Sequence, residues 1–173
     1  MNTKHKPAII FVDWGTSSFR AYLISRTGEL LEKIARTSGI LNVENGGFAG
    51  TLEDHCKDWF ETWPKLPVLM CGMIGSAGGW VEVPYLSGNV GPCELAQGVQ
   101  IVNNTKHDVR IIPGICGTSF DGTPDVMRGE ETLLIGALSL GSSDQGLFCL
   151  PGTHSKWVLV QDSEIAMFST FMT

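Results

Sequence analysis

The sequence lacks the patterns that mark metal scaffolds, nucleic-acid binders and membrane proteins. Its five cysteines form no CxxC pair and its four histidines form no HxxxH pair, which argues against a disulfide framework or a structural zinc site. Lys and Arg number 12 against 18 Asp and Glu, so we expect no nucleic-acid and no membrane partner. The apolar run Ala8–Val12 is too short for a signal peptide or a membrane span. We therefore expect a soluble, cytoplasmic protein.

The sequence does contain enough apolar residues to form the core of a folded α/β domain. Its 173 residues are 43% hydrophobic and 17% charged, which excludes a largely disordered chain. Apolar runs and turn residues predict a β-meander over residues 8–35 and further strands at 67–71 and 109–112. Residues 117–125 are predicted to form a polar loop. Helices are predicted at three places, the last of them well buried: 48–63, 93–102 and 129–140.

The end of the sequence repeats the pattern of its beginning. The apolar run Gly146–Leu150 leads into a Gly-Thr turn, as does the first strand, and thirteen residues separate Gly15 from Gly28 and Gly152 from Ile165. This match indicates a duplicated unit. Because the chain stops inside an apolar strand, we expect a fragment, with one lobe at 1–141 and the start of a second at 142–173. The alternative is a complete domain whose last hairpin closes its own sheet.

Both Gly-Thr turns have the composition of a phosphate-binding loop. Glycine lets backbone N–H groups approach a phosphate closely, and a hydroxyl adds a donor. Asp13, at the end of the first strand, suits a hydrated Mg²⁺, which prefers one or two carboxylates together with phosphate oxygens. Lys156, beside the second turn, is a candidate phosphate contact. Ordinary strand-end turns and an ordinary exposed lysine would give the same residues.

Two glutamates at the predicted start of the last helix are candidates for a general base. Glu130 and Glu131 could accept a proton from a substrate hydroxyl, or simply stabilise the helix dipole. Arg128 just before them could bind a substrate carboxylate through two parallel hydrogen bonds. Arg20 is either a ligand cation or a solvated edge residue, and the glycine-rich stretch after Cys71 matches neither GxGxxG nor a Walker A motif.

Several stretches together resemble the 2-dehydro-3-deoxygalactonokinase family, whose members are sugar-acid kinases of the acetate/sugar kinase, Hsp70 and actin superfamily. The stretches occur in the family's order: VDWGTSSFRAYL (12–23), MCGMIGSAGGWVEVPYL (70–86), IIPGIC (111–116), DVMRGEETLLIGAL (125–138) and LPGTHSKWV (150–158). The resemblance implies a ribonuclease-H-like lobe (the actin-like ATPase fold), with a mixed sheet flanked by helices, plus the first hairpin of a second such lobe. It also implies ATP and Mg²⁺ bound between two lobes.

The resemblance implies phosphorylation of the terminal hydroxyl of 2-dehydro-3-deoxygalactonate, a step in galactonate breakdown. It assigns the first phosphate loop to Gly15, Thr16 and Ser17, with Asp13 near the metal, and the second loop to Gly152 and Thr153. By position, the resemblance makes Glu130 the expected base, with Glu131 in reserve. The residues expected to bind the sugar acid are Arg20, Gly72, Met73, Gly75, Ser76 and Arg128. Family members continue well past Thr173, so we expect this chain to need a missing second lobe for activity.

Three other functions are compatible with the residues. A two-metal nuclease could be built on Asp13, Asp125 and Glu130, although the net charge of −6 disfavours it. An inactive lobe could bind a sugar acid or a partner chain without catalysing a reaction. A kinase of the same superfamily could act on another sugar acid. A homo-oligomer is a further expectation.

Overall fold

The chain forms two compact units in the computed structural model, which describes residues 6–44, 46–141, 143–152 and 154–172. Unit 1 comprises Met1–Val83 and Gln100–Ile112, and unit 2 comprises Pro84–Val99 and Pro113–Thr173. The chain therefore passes from unit 1 into unit 2 at residue 84, returns to unit 1 at residue 100, and enters unit 2 again at residue 113. The division into lobes at residues 141 and 142 stays a prediction.

Among the described residues, strands account for most of the regular structure, and four helices connect or follow them. The strands are β1 (Pro7–Trp14), β2 (Phe19–Ser25), β3 (Leu30–Arg36), β4 (Val68–Cys71), β5 (Leu86–Ser87), β6 (Gln100–Ile101), β7 (Val109–Ile111), β8 (Ile115–Thr118), β9 (Pro124–Met127), β10 (Gly146–Leu150), β11 (His154–Gln161) and β12 (Glu164–Met172). The helices are α1 (Phe48–His55), α2 (Lys57–Thr62), α3 (Pro92–Gly98) and α4 (Glu130–Ser139), with short 3₁₀ turns at Ile40–Asn42 and Met73–Gly75.

Unit 1 is built on a mixed six-stranded sheet in the order β3-β2-β1-β4-β7-β6. The meander β1-β2-β3 is antiparallel, whereas β4 pairs in parallel with both β1 and β7. Strand β1 lies inside the sheet, and its residues Ile10, Val12 and Trp14 are completely buried. The predicted meander and both predicted strands are confirmed, because apolar runs of this length fit the interior of a sheet.

Unit 2 contains two three-stranded sheets together with α3 and α4. One sheet has the order β5-β8-β9 and the other the order β10-β11-β12. The second sheet is an antiparallel meander, so the predicted likeness between the two ends of the chain is confirmed in strand order. Val90 joins the meander through paired backbone hydrogen bonds to Ile165, with N···O distances of 2.8 and 3.1 Å.

The structure corrects four expectations about local structure. The helix predicted over 48–63 is divided at the buried Cys56 into α1 and α2. The helix predicted over 93–102 ends at Gly98, since Gln100–Ile101 pairs with β7 instead. The polar loop predicted over 117–125 is a hairpin of β8 and β9, closed by a hydrogen bond from the Ser119 amide to the Thr123 carbonyl at 2.8 Å.

The fourth correction concerns α4, which was expected to be well buried. Only Glu131 and Leu134 are buried on this helix, while Leu133 is 61% exposed and Leu140, its C-terminal capping residue, is 90% exposed. An apolar sequence without a polar face carries no signal for which side meets solvent, so periodicity could not reveal the exposed side. Across the described residues, no helix is long and apolar enough to cross a membrane.

A close backbone approach fixes the turn between β1 and β2. The amide of Ile40 donates to the carbonyl of Gly15 at 3.0 Å, and that of Leu41 donates to the carbonyl of Thr16 at 3.3 Å. Gly39 lies so near the turn that a Cβ added there would be 2.2 Å from the Thr16 oxygen and 2.3 Å from the Ser17 nitrogen. Only glycine fits at this position without moving the turn.

Replacing Gly39 therefore tests how tightly the turn is held. We expect Gly39→Ala to lower the free energy of unfolding by about 2 kcal/mol, because backbone must shift to admit the methyl group. Gly50→Ala is the matched control, since nothing lies within 4 Å of a Cβ at that helical position; it should be stabilising by up to about 1 kcal/mol. Urea denaturation of both variants measures the difference. Equal unfolding free energies for the two variants would show that the turn shifts at little cost to admit the methyl group.

Candidate functional site

The turn after β1 presents backbone amides and hydroxyl groups to solvent. The Gly15 amide donates to the Ser18 carbonyl at 2.9 Å, which closes the turn. Thr16 and Ser17 at its tip are exposed. Their amides have no hydrogen-bond acceptor within the part of the chain that the structure describes. The turn thus has the free donors that a phosphate-binding loop needs, and phosphate binding by residues 15–17 stays a prediction.

Asp13 lies directly before this turn and is paired with Arg20. Their strand positions are cross-strand neighbours in β1 and β2, and an Arg20 guanidinium nitrogen donates to the Asp13 carboxylate at 2.9 Å. The pair is accessible, with side-chain exposures of 25% for Asp13 and 47% for Arg20. Arg20 therefore neutralises the predicted metal ligand in this structure, and its predicted contact with a sugar acid stays a prediction.

A magnesium ion fits the chemistry of Asp13, although a cage of protein ligands is missing. Among the described residues, no group of three or more His, Cys, Asp or Glu side chains is placed to hold a metal ion. Mg²⁺ commonly uses one or two carboxylates and takes its other ligands from phosphate and water. A single accessible aspartate beside a turn with free amides matches that requirement.

The 72–76 loop lies beside Asp13 within unit 1. Asp13 pairs with Cys71 across β1 and β4, and a Cβ on Gly72 would be 3.3 Å from the Asp13 carboxylate and 2.9 Å from the Trp14 carbonyl. Gly72 and Gly75 are buried, and the Ser76 hydroxyl donates to the Met73 carbonyl at 2.7 Å. The structure thus brings Asp13, Arg20 and this loop together. Binding of a sugar acid by Gly72, Met73, Gly75 and Ser76 stays a prediction.

In unit 2, the two glutamates at the start of α4 fold back onto the backbone before the helix. One oxygen of Glu130 accepts a hydrogen bond from the Arg128 amide at 3.1 Å. Both oxygens of Glu131 accept from the Gly129 amide, at 2.9 and 2.7 Å, and one also accepts from the Thr132 hydroxyl at 3.0 Å. The carboxylates of Glu130 and Glu131 are therefore held by different backbone amides, although the two residues are adjacent in sequence.

The environments of the two carboxylates also differ. Glu131 is completely buried, and this burial raises its pKa from 4.5 to about 7, even though hydrogen bonds from the backbone and Thr132 oppose the shift. Glu130 is only half-buried. Its second oxygen is thus better placed to receive a proton from a bound molecule, whereas both oxygens of Glu131 are already engaged.

The second predicted phosphate loop is only partly described. Gly152 lies between β10 and β11, while Thr153 lies outside the described residues. Lys156 is 6% exposed. Its ammonium group donates to the Val126 carbonyl at 2.5 Å and to the Thr170 hydroxyl, and lies 3.6 Å from the Asp125 carboxylate. Lys156 is an internal cation here, and its predicted contact with phosphate stays a prediction.

Asp125 completes a polar cluster that joins β9 to the last meander. Its two carboxylate oxygens accept from the Thr170 amide at 2.7 Å and from the Thr170 hydroxyl at 2.8 Å. Sequence reasoning did not find this cluster, because Thr170 carries no motif and meets Lys156 only through the register of β11 and β12. The one available signal was a lysine inside the apolar strand SKWVLV.

Removing the charge of Lys156 should destabilise the protein strongly. Lys156→Met keeps the apolar stem but leaves the largely buried Asp125 without its cation, so we expect a loss of about 3 kcal/mol in unfolding free energy. Lys57→Met is the control, because Lys57 and its partner Glu61 are both more than 60% exposed and such pairs contribute at most about 1 kcal/mol. Chemical denaturation distinguishes the two. Similar losses would contradict a structural role for Lys156.

Burial of Glu131 should make stability depend on pH. Its folded-state pKa lies above the 4.5 of the unfolded chain, so the folded state binds more protons between pH 4.5 and about 7. The unfolding free energy should be highest below this window and fall as pH rises through it, by at most about 1.4 kcal/mol per pH unit. Glu131→Gln should flatten the curve and the exposed Glu61→Gln should not. Parallel curves for wild type and Glu131→Gln would contradict the assignment.

Comparisons with known proteins agree over almost the whole chain. A family model described as 2-keto-3-deoxy-galactonokinase matches residues 13–173. The chain is 40% identical over 164 residues to the 2-dehydro-3-deoxygalactonokinase of Escherichia coli (strain K12), covering 95% of this chain and 53% of that protein. It is 39% identical over 162 residues to a probable 2-dehydro-3-deoxygalactonokinase of Rhizobium meliloti (strain 1021), covering 94% of this chain and 52% of that one.

Solved structures give the same result for the fold. A putative 2-dehydro-3-deoxygalactonokinase from Sinorhizobium meliloti superposes with a TM-score of 0.86 at 38% identity, over 95% of this chain and 54% of that one. The ethanolamine utilization protein EutJ from Carboxydothermus hydrogenoformans superposes with a TM-score of 0.50 at 12% identity, over 99% of this chain and 54% of that one, which bears on the fold alone. With the mixed sheet flanked by helices, these matches confirm the predicted fold class. The chain spans about half the length of the curated relatives that it matches.

Proposed function

Because the chain belongs to the 2-keto-3-deoxy-galactonokinase family, we propose that it serves the ATP-dependent phosphorylation of the terminal hydroxyl of 2-dehydro-3-deoxygalactonate. The observation that carries the proposal is the family match over residues 13–173, which includes both Gly-Thr turns and the glutamates of α4. The relatives that bear the kinase name are about twice as long. Full turnover is therefore proposed for a protein of their length, with lobes divided at residues 141 and 142.

In unit 1, the turn after β1 would hold the phosphates of ATP. The exposed amides of Thr16 and Ser17 donate to phosphate oxygens, and Gly15 keeps the approach free of a side chain. Asp13 would be the ligand for Mg²⁺, and its carboxylate would leave the ion pair with Arg20 to bind the metal. The metal, when bound, supplies positive charge that neutralises the phosphate oxygens.

In unit 2, Arg128 would bind the carboxylate of the sugar acid and Glu130 would take the proton from its hydroxyl. The hydroxyl oxygen forms a bond to the γ-phosphorus as the bond to the ADP oxygen breaks, and the hydroxyl proton moves to the free oxygen of Glu130. The Arg128 amide, which donates to the other oxygen at 3.1 Å, keeps the carboxylate in place. Gly152 and Thr153 form the second phosphate loop, and Lys156 supports it from the interior.

The cellular setting belongs to the same proposal. A sugar acid and ATP are the proposed small-molecule partners, and the reaction is a step in galactonate breakdown. The cytoplasm is the compartment that supplies ATP to such a reaction. Homo-oligomerisation and the absence of nucleic-acid and membrane partners stay predictions.

Substitution of Glu130 tests the proposed reaction. Glu130→Gln should lower turnover by about 100-fold or more, because a positioned base contributes that much to proton transfer, while the dissociation constant of the sugar acid stays within about twofold. Glu61→Gln, on the exposed face of α2, should change neither. An assay of ADP formation measures turnover, and calorimetric titration measures binding.

The outcomes separate the proposed kinase from its alternatives. Equal losses of turnover and binding would remove Glu130 from the role of base. Saturable binding of the sugar acid without ADP formation, by a wild-type protein of the relatives' full length, would favour a protein that binds the acid without catalysis. Turnover with a different sugar acid only would keep the chemistry and change the substrate.

A further inference from the structure

An open cleft of about 690 Å³ lies at the end of the unit 1 sheet where β1 begins. Its lining combines three exposed basic residues, Lys6, Arg26 and Lys65, with the half-buried Trp63 and neighbouring proline and aliphatic side chains. We call this set of residues the basic cleft. Its volume lies within the range of small-molecule sites in proteins, about 300–1,000 Å³.

Strand pairing brings the basic residues to one end of the sheet. Pro7 pairs with Ser25 in the antiparallel strands β1 and β2, so the next position outward on each strand places Lys6 opposite Arg26. Lys65 lies three residues before β4, which runs parallel to β1. The chain therefore enters β4 at the same end of the sheet, and a third cation joins the other two.

No acidic side chain compensates these charges. The described lining of the basic cleft contains no Asp or Glu, although acidic residues outnumber basic ones by 18 to 12 in the chain. Within the part of the chain that the structure describes, Lys6, Arg26 and Lys65 form no ion pair and donate no side-chain hydrogen bond. Like charges that face each other across neighbouring strands destabilise the pairing. An anion bound between them would relieve that repulsion.

The apolar side of the basic cleft is held by its backbone. Trp63 follows α2, and its amide donates to the Trp59 carbonyl at 2.7 Å, while its own carbonyl accepts from the Leu66 amide at 3.2 Å. Pro64 and Pro67 lock the φ angles on either side of this turn. A half-buried indole in a fixed turn thus offers a flat apolar surface beside the three cations.

We propose that the basic cleft binds an organic phosphate, with the phosphate group between the three cations and the apolar part against Trp63. A phosphate monoester carries nearly two negative charges and three acceptor oxygens, which matches three cations better than the single charge of a carboxylate. The Arg26 guanidinium can donate two parallel hydrogen bonds to such a group, and the two lysine ammonium groups add compact positive charges.

The basic cleft is separate from the turn to which the phosphates of ATP are assigned. Asp13 lies near the other end of β1, six residues after Pro7, and thus about 20 Å away at a rise of about 3.4 Å per residue. A small phosphate ester bound at Arg26 cannot also reach the amides of Thr16 and Ser17. The inference therefore goes beyond the proposed function and does not depend on it.

Phenyl phosphate tests the inference in nuclear magnetic resonance titrations of the isotope-labelled 173-residue chain. The readouts are the Nε–Hε resonance of Arg26 and the indole N–H resonance of Trp63. We expect both resonances to shift saturably with phenyl phosphate. Inorganic phosphate, which lacks the ring, should bind about fivefold more weakly. Benzyl alcohol, which lacks the charge, should cause no saturable shift.

Two arginine variants separate a localised site from a diffuse effect of charge. Arg26→Gln should weaken the binding of phenyl phosphate about tenfold, because charge-assisted hydrogen bonds are lost. Arg36→Gln is the matched control, since Arg36 is exposed and pairs with Phe19 at the other end of the sheet. It changes the net charge equally and should alter the affinity by less than twofold. The Trp63 resonance reports binding in both variants.

Three results would overturn the inference. One is the absence of a saturable shift at Arg26 and Trp63 in the wild-type chain, which needs no variant to observe. Another is an equal loss of affinity in the two arginine variants. The third is a shift confined to the amides of Thr16 and Ser17, which would place the phosphate at the first Gly-Thr turn and so support the proposed function alone. Binding at Arg26 by a full-length relative that lacks kinase activity would reject the proposed function alone, so the two failures are distinguishable.

Discussion

Pairing on both edges of β1 is the constraint on which unit 1 depends. The strand lies antiparallel to β2 and parallel to β4, and its inward side chains are fully buried. Asp13 near its end therefore meets Arg20 on one side and Cys71 with the following loop on the other. A strand pinned along both edges cannot slip by one residue without turning its apolar side chains to solvent. The position of the exposed turn at 15–18 follows from this pinning.

The glutamates at the start of α4 show how backbone geometry separates two identical side chains. Neighbouring positions on a helix point about 100° apart, so one carboxylate faces the interior and the other reaches the edge. Burial makes the proton of Glu131 hard to remove, and Glu130 keeps partial contact with solvent. The roles proposed for the two carboxylates, a base at Glu130 beside a buried acid at Glu131, thus follow from their different environments.

The sequence predicted most of the local structure because apolar runs, glycines and prolines act over short distances. The two meanders, the turn after β1 and the start of α4 were all recognisable from neighbouring residues. The contacts of Lys156 with Thr170 and of Arg128 with Tyr85 were not, since they join positions 14 and 43 residues apart through strand register. The exposed side of α4 was missed for a related reason, because an evenly apolar helix sequence does not indicate which side packs against the rest of the protein.

The excursion of residues 84–99 into unit 2 has a consequence for synthesis of the chain. Strand β7 holds one edge of β4 and pairs with β6, so the six-stranded sheet cannot close until Ile111 has left the ribosome. Residues 84–99 emerge earlier, yet β5 finds its partner only when β8 follows at Ile115–Thr118. The six-stranded sheet of unit 1 and the β5-β8 pair of unit 2 can thus form within a few residues of each other, and the nascent N-terminal meander must wait for β4 and β7.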